Sequence, residues 1–171
     1  MLKKKILIVG AGPVGVLLGI ALDKLGHSVT ILERQAKSSH EGRADITKLS
    51  RLYAIASGSY DIMKDDVGVS FDKKNFQPIN RIYINDGGAE TTFDPTEIGA
   101  ENFGYMIEES DLFSQLLTEL EKSSIDLRYG VGDIKIIEDE NNITLATSDQ
   151  EFTADLILAA DGRHSMFRQS L

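Results

Sequence analysis

The 171-residue sequence contains no cysteine. Disulfides, thiolate metal sites and cysteine nucleophiles are therefore excluded, and an intracellular compartment is the plain inference. Positive charge is scarce. Eighteen Lys and Arg stand against 27 Asp and Glu, for a net charge of −9 and a pI near 4.8. That balance argues against nucleic acid and against an electrostatically held membrane surface. Long apolar runs are missing too. The N-terminal lysines are followed only by Ile6 to Val9 before glycines begin, too short for a secretory core or a transmembrane segment. There is no internal repeat and no low-complexity tract. The rest is ordinary for a soluble globular protein, at 42% hydrophobic and 26% charged. The length fits one domain, or one and a fraction. Such a chain buries roughly 70% of its extended surface.

The stretch Lys3 to Arg34 organises the chain. Ile6, Leu7, Ile8 and Val9 form an apolar run suited to a strand buried on both faces of a parallel sheet. Gly10, Gly12 and Gly15 follow at the spacing G-x-G-x-x-G, with Pro13 and Val14 inside the motif. Val14 to Leu25 has apolar residues at helical spacing, and Gly26 is placed to stop that helix. Val29 to Leu32 is a second strand, ending in Glu33. Strand, tight turn, helix and strand within about 30 residues make a βαβ unit. In this reading Gly10 permits the sharp turn. Gly12 lets a pyrophosphate approach the backbone, and Gly15 lets helix and strand pack closely. Gly19 extends that packing. The helix N-terminus offers free N–H groups to phosphate. Glu33 falls about 20 residues after the glycines, where an acid binds a free ribose 2′-hydroxyl and repels a 2′-phosphate.

Further along, Arg34 to Ser50 is polar and reads as a loop. Leu49 to Met63 has helical spacing, with Arg51 near its start and Gly58 weakening it. Asp65 to Phe76 is charged and irregular. Arg81 to Asn85 and Glu90 to Phe93 flank Asp86-Gly87-Gly88, a β-hairpin. Glu108 to Lys122 is a second helix, with Ser110 at its N-cap and a leucine-rich core stripe. Ile125–Tyr129, Gly132–Ile137, Asn142–Thr147 and Glu151–Thr153 read as an antiparallel meander. The acidic run Glu138, Asp139, Glu140 is a solvated turn without a metal-ligand set. Ala154 to Ala160 is a buried strand running into Asp161, Gly162, Arg163 and His164. In a parallel sheet that end brings another carboxylate beside a nucleotide. His164 is read as a polar turn residue.

Taken together, the glycine motif with Glu33-Arg34, then Arg51, then Asp161-Gly162-x-His164-Ser165-x-x-Arg168, resembles the class A flavin-dependent aromatic hydroxylases. The stretches RLYAIASGS and QPINRIYINDGGAETTFDP resemble the ubiquinone-biosynthesis group among them. The resemblance implies a Rossmann-like α/β FAD/NAD(P)-binding domain over the whole chain, with an inserted antiparallel hairpin and meander, truncated at its C-terminus. Residues 78–104 would be a segment of the substrate domain. The family implies FAD, its pyrophosphate over Gly10, Gly12, Pro13, Val14 and Gly15, and its ribose on Glu33. Arg34 would lie near the adenine, Arg51 near the flavin, and Asp161, Gly162 and Arg168 in the second nucleotide motif. NAD(P)H would be co-substrate and dioxygen the oxidant. A phenolic ring would be hydroxylated, in the cytoplasm or peripheral to the inner membrane. Catalytic side chains are not implied, because the cofactor carries the chemistry. Ser110 stands where family members carry an arginine. A further Gly-Asp motif and most of the substrate sheet have no counterpart before Leu171. The chain therefore reads as an N-terminal portion, completed by a C-terminal partner chain or a second copy, or else as a non-catalytic nucleotide-binding fragment. An open sheet edge predicts marginal solubility or self-association.

Overall fold

The computed structural model describes residues 2–45, 51–71, 73–138 and 143–170. Along the chain it forms β1 (Lys5–Val9), α1 (Pro13–Lys24), β2 (Ser28–Glu33) and α2 (Lys37–Glu41). Next come β3 (Leu52–Ala56), α3 (Ser57–Asp61), β4 (Gln77–Pro78), β5 (Ile82–Asp86), β6 (Ala89–Phe93) and β7 (Gly104–Glu108). Helix α4 (Glu109–Glu121) leads to β8 (Asp126–Tyr129), β9 (Lys135–Glu138), β10 (Ile143–Ala146), β11 (Glu151–Thr153), β12 (Leu156–Ala159) and α5 (Phe167–Ser170). Two compact units result, one of residues 1–43 with 116–171 and one of 44–115. Among the described residues, no helix is long and apolar enough to cross a membrane.

The first unit is built on a parallel sheet of order β12-β1-β2-β8. Ile6 to Val9 are all buried because β1 has neighbours on both sides and cover on both faces. On one face, Gly19 of α1 meets Ile31 of β2, where a Cβ would come 2.8 Å from its Cδ1. On the other, Leu7, Val9 and Leu32 join Ile134 and Leu145 in one core cluster. That cluster is supplied by the antiparallel meander β9-β10-β11. Helix α1 ends as expected, with Gly26 at φ +88° just past its last turn.

Three expectations about this unit change. Residues 126–129 pair in parallel with β2, Glu33 opposite Tyr129, and so belong to the main sheet instead of the meander. They follow a helix, and a strand fed by a crossover helix returns parallel. Strand β12 is only half-buried, with Leu156 48% exposed. It lies at one end of the described sheet and covers β1 from one side only. Within the polar stretch read as a loop, residues 37–41 make the short helix α2, while 46–50 lie outside the described residues, as do 139–142 of the acidic turn.

In the second unit, residues 52–56 form strand β3 instead of the expected helix. They alternate in exposure, Tyr53 and Ile55 turned inward, because β7 pairs with them antiparallel from Leu52↔Glu108 to Ala56↔Gly104. The helical part of that stretch begins only at Ser57 and runs on through a π-helical turn, Ile62–Asp66. The rings of Tyr60, Phe71, Phe76 and Tyr105 pack together at centroid separations of 4.6–5.8 Å. The hairpin β5–β6 has the expected turn, with Gly87 and Gly88 both at positive φ. Helix α4 starts at Glu109, so the fully buried Ser110 sits inside its first turn and is not the N-cap.

Candidate nucleotide-binding site

The carboxyl ends of β1, β2 and β12 converge on the glycine turn. Gly10 adopts φ +100°, and its N–H donates to Leu32 O at 2.8 Å. An added Cβ there would meet the Ala160 and Asp161 backbone inside 3 Å, so only glycine lets the turn pass under β12. At Gly15 a Cβ would drive into the Gly10 carbonyl. That is the close helix–turn packing its position implied. Gly12 differs. A Cβ on it meets nothing within 4 Å, and its backbone is ordinary, at φ −67° and ψ 175°. Among the described residues, nothing stands in front of Gly12.

Gly12 is also the N-cap of α1. Among the described residues no side chain caps this helix, Pro13 follows, and its first turn holds no acidic residue. The remaining N–H groups are left for a ligand anion. Glu33, at the end of β2, is 9% exposed. Its Oε2 accepts from Ala11 N at 2.8 Å and its Oε1 from Gln35 N at 2.7 Å. Each carboxylate oxygen has a second lone pair, so both can still accept from ribose hydroxyls.

These groups share one cleft of about 640 Å³, the size of a small-molecule site. Gly10, Gly12, Pro13, Val14, Glu33, Arg34, Asp161 and Gly162 all line it. Gly15 is buried behind it, packed on Gly10. A smaller hollow, about 360 Å³, lies at the other end of the strands, along Lys5, Ser28 and Thr30. Ligands of open parallel sheets bind outside the carboxyl ends, which favours the larger cleft. Arg51 lies in the second unit, its carbonyl accepting from Glu109 N at 2.7 Å, and is not among the lining residues. Asp161 shapes the far wall, where its Oδ2 accepts from Met166 N at 2.7 Å. Arg168 fastens the same loop by donating to the Arg163 carbonyl.

Sequence reasoning missed several residues here. Arg43 and Arg163 line the cleft with Arg34, and Gly132 and Asp133 close it beyond β8. Arg43 was hidden in a polar stretch with no periodicity. His40 is fully buried, with its Nε2 2.7 Å from Ala11 O and its ring edge-on to Tyr129 at 5.2 Å. Tyr129 stands beside Glu33 in the sheet. Burial, then the Glu41 and Glu33 charges, raise its phenol pKa above the ordinary value. Open space at Gly12, an uncapped helix N-terminus and a carboxylate at the end of β2 fit a dinucleotide, phosphates at the first two and ribose at the third.

Comparison with known proteins bears on the fold and on the class of cofactor. Residues 3–58 match the family model of the FAD binding domain. Across 98% of its length the chain is 28% identical to the FAD-dependent monooxygenase terM of Tolypocladium album. It is 25% identical, over the same share, to the FAD-dependent monooxygenase olcE of Penicillium canescens. It covers 34% and 35% of those two proteins, so the chain spans about a third of the length of the curated relatives it matches. The crystal structure of CtdE in complex with FAD and substrate 4 superposes at a TM-score of 0.72. That match is 20% identical and covers 99% of this chain and 40% of CtdE. The fold is the Rossmann-like FAD-binding fold. At this identity the likeness speaks for architecture, and the cleft residues must carry the chemistry.

Proposed function

We propose that this chain is the nucleotide-binding part of an FAD-dependent monooxygenase. FAD would lie with its pyrophosphate over Gly12 and the N-terminus of α1, and its ribose against Glu33. Arg34 would flank the adenine end, Asp161 and Gly162 the opposite wall, and Arg51 the flavin. When bound, FAD would supply the redox chemistry of an NAD(P)H- and dioxygen-dependent hydroxylation of an electron-rich aromatic ring. The chain's own residues bind and orient it. Hairpin β5–β6, within residues 78–104, would belong to the substrate domain of the complete enzyme. A phenolic ubiquinone precursor is one such ring, but the relatives named above are fungal monooxygenases and do not single it out. A cytoplasmic location, or one peripheral to the inner membrane, goes with that substrate. The observation that carries the reading is the open approach to Gly12 in the same cleft as the carboxylate of Glu33.

A second reading has its own support. In it the described residues would bind nucleotide without catalysing the reaction themselves; the chain spans about a third of its relatives' length. One titration addresses both. The purified chain is titrated with FAD and followed by flavin fluorescence, with Gly12→Val and Glu33→Ala as controls. Binding lost in both variants supports the site, and NADH or NADPH oxidation is then assayed. No saturable binding at high micromolar FAD overturns an autonomous site.

A further inference from the structure

We infer that His40 is a positioning residue of the nucleotide cradle, holding the Ala11–Gly12 peptide so that the Gly12 amide is presented to a dinucleotide pyrophosphate. The inference rests on the FAD reading above for its ligand, but its geometry stands without it. Glycines on both sides of Ala11 make the turn intrinsically loose. Two side chains take up that freedom. Glu33 holds the peptide before Ala11 through Ala11 N, and His40 holds the peptide after it through Ala11 O. Ala11 and His40 are both fully buried, and His40 is not among the cleft-lining residues. The imidazole therefore acts from behind the turn, not on the ligand.

The chemistry fixes the tautomer. A carbonyl only accepts, so Nε2 must carry the proton. Among the described residues there is no cis peptide bond, and in a trans peptide C=O and N–H point in opposite directions. With Ala11 O directed at His40, the Gly12 N–H is directed away from it. Rotating that amide would break a 2.7 Å hydrogen bond in a dry environment and strand a buried carbonyl. Preorganisation of this kind strengthens binding by removing the ordering cost from the association step. Tyr129, edge-on to the imidazole, limits its rotation.

The test uses three replacements in the full chain. Glutamine places an amide nitrogen where Nε2 stands, asparagine falls one atom short, and leucine keeps bulk without a donor. His40→Leu and His40→Asn should weaken FAD binding by about 10-fold, and His40→Gln should stay within about 3-fold of wild type, since one hydrogen bond is at stake. In the unliganded wild type, 15N correlation spectra should show His40 as the Nε2–H tautomer. The Gly12 amide should be one sharp peak, broadened or split in His40→Leu. An Nδ1–H tautomer, a Gly12 amide unaffected by His40→Leu, or full FAD affinity in His40→Leu overturns the inference. If the wild type binds no FAD, an autonomous cofactor site is overturned, and the tautomer and the Gly12 amide still decide the clamp.

Discussion

Gly12→Ala and Gly15→Ala should fail in opposite ways, although both remove a glycine of one motif. At Gly12 the added methyl meets no protein atom within 4 Å, and φ is −67°. Alanine there narrows the unfolded ensemble, worth about 0.4–1 kcal/mol. It is also a poorer N-cap than glycine, which costs about as much. The two offset, and Tm should move by less than about 4 °C. The methyl does occupy the approach to the helix N-terminus. Overpacking of one methyl against an immovable group costs about 1–3 kcal/mol, so FAD affinity should fall by about 10- to 100-fold. At Gly15 the methyl would drive into the Gly10 carbonyl and come 3.3 Å from the Ala160 side chain. The clash is with backbone and cannot be relieved by a rotamer. A loss of about 3 kcal/mol follows, or a Tm lowered by about 6–12 °C for a chain this size. Differential scanning fluorimetry with and without FAD, beside a fluorescence titration, reads both quantities. Gly12→Ala binding FAD like wild type would refute the placement of the pyrophosphate. Gly12→Ala melting as low as Gly15→Ala would refute the reasoning from free space.

Three further outcomes follow from the same geometry. Tyr129 has a raised pKa, so near pH 7 it is neutral in both folded and unfolded chains and contributes no slope. Above about pH 10 the unfolded chain loses that proton first, and stability falls as pH rises. Tyr129→Phe should flatten the alkaline decline in Tm, and an unchanged decline would exclude Tyr129 as its source. Gly104 has φ +147°, and a Cβ on it would collide with the Ile55 carbonyl. Gly104→Ala should thus break the β3–β7 pairing and lower Tm by at least about 4 °C, and a wild-type melting curve would count against that register. Ile82 and Phe93 stand opposite one another on the hairpin, 39% and 46% exposed, with Ile84 next along at 48%. Ile84→Thr with Phe93→Ser should reduce self-association in sedimentation velocity, and unchanged association would place the contact elsewhere.

Local signals in the sequence were strong where the chain makes its own neighbours. The first βαβ unit was legible because turn, helix spacing and terminal acid lie within one short stretch. The hairpin was legible from Asp86-Gly87-Gly88, and α4 from its leucine stripe. What failed was partner choice at long range. Leu52 to Ala56 carries apolar residues compatible with either period, and β7 decides for a strand. Asp126 to Tyr129 reads as a strand correctly, but nothing local says it joins β2. In the cleft, residues that line it through backbone were picked out by their glycines. His40 was not, since α2 is a five-residue polar helix without an apolar face, and Arg43 was not, since it follows that helix in a short turn with no periodicity.

The order of strands in the parallel sheet has a temporal meaning. Gly10 is framed by Ala160 and Asp161, and β1 pairs with β12 across 150 residues, as Lys5 N donating to Asp155 shows. A ribosome adding about 5–20 residues per second takes roughly 8–30 s to make that stretch. Throughout that interval Ile6 to Val9 lack the partner strand that covers one of their edges, and the glycine turn lacks its lid. Contacts this distant in sequence also form late and slowly in a refolding chain. The cradle is therefore among the last parts of the first unit to close. A pulse of protease during synthesis should cut near Gly10 until residue 160 has emerged.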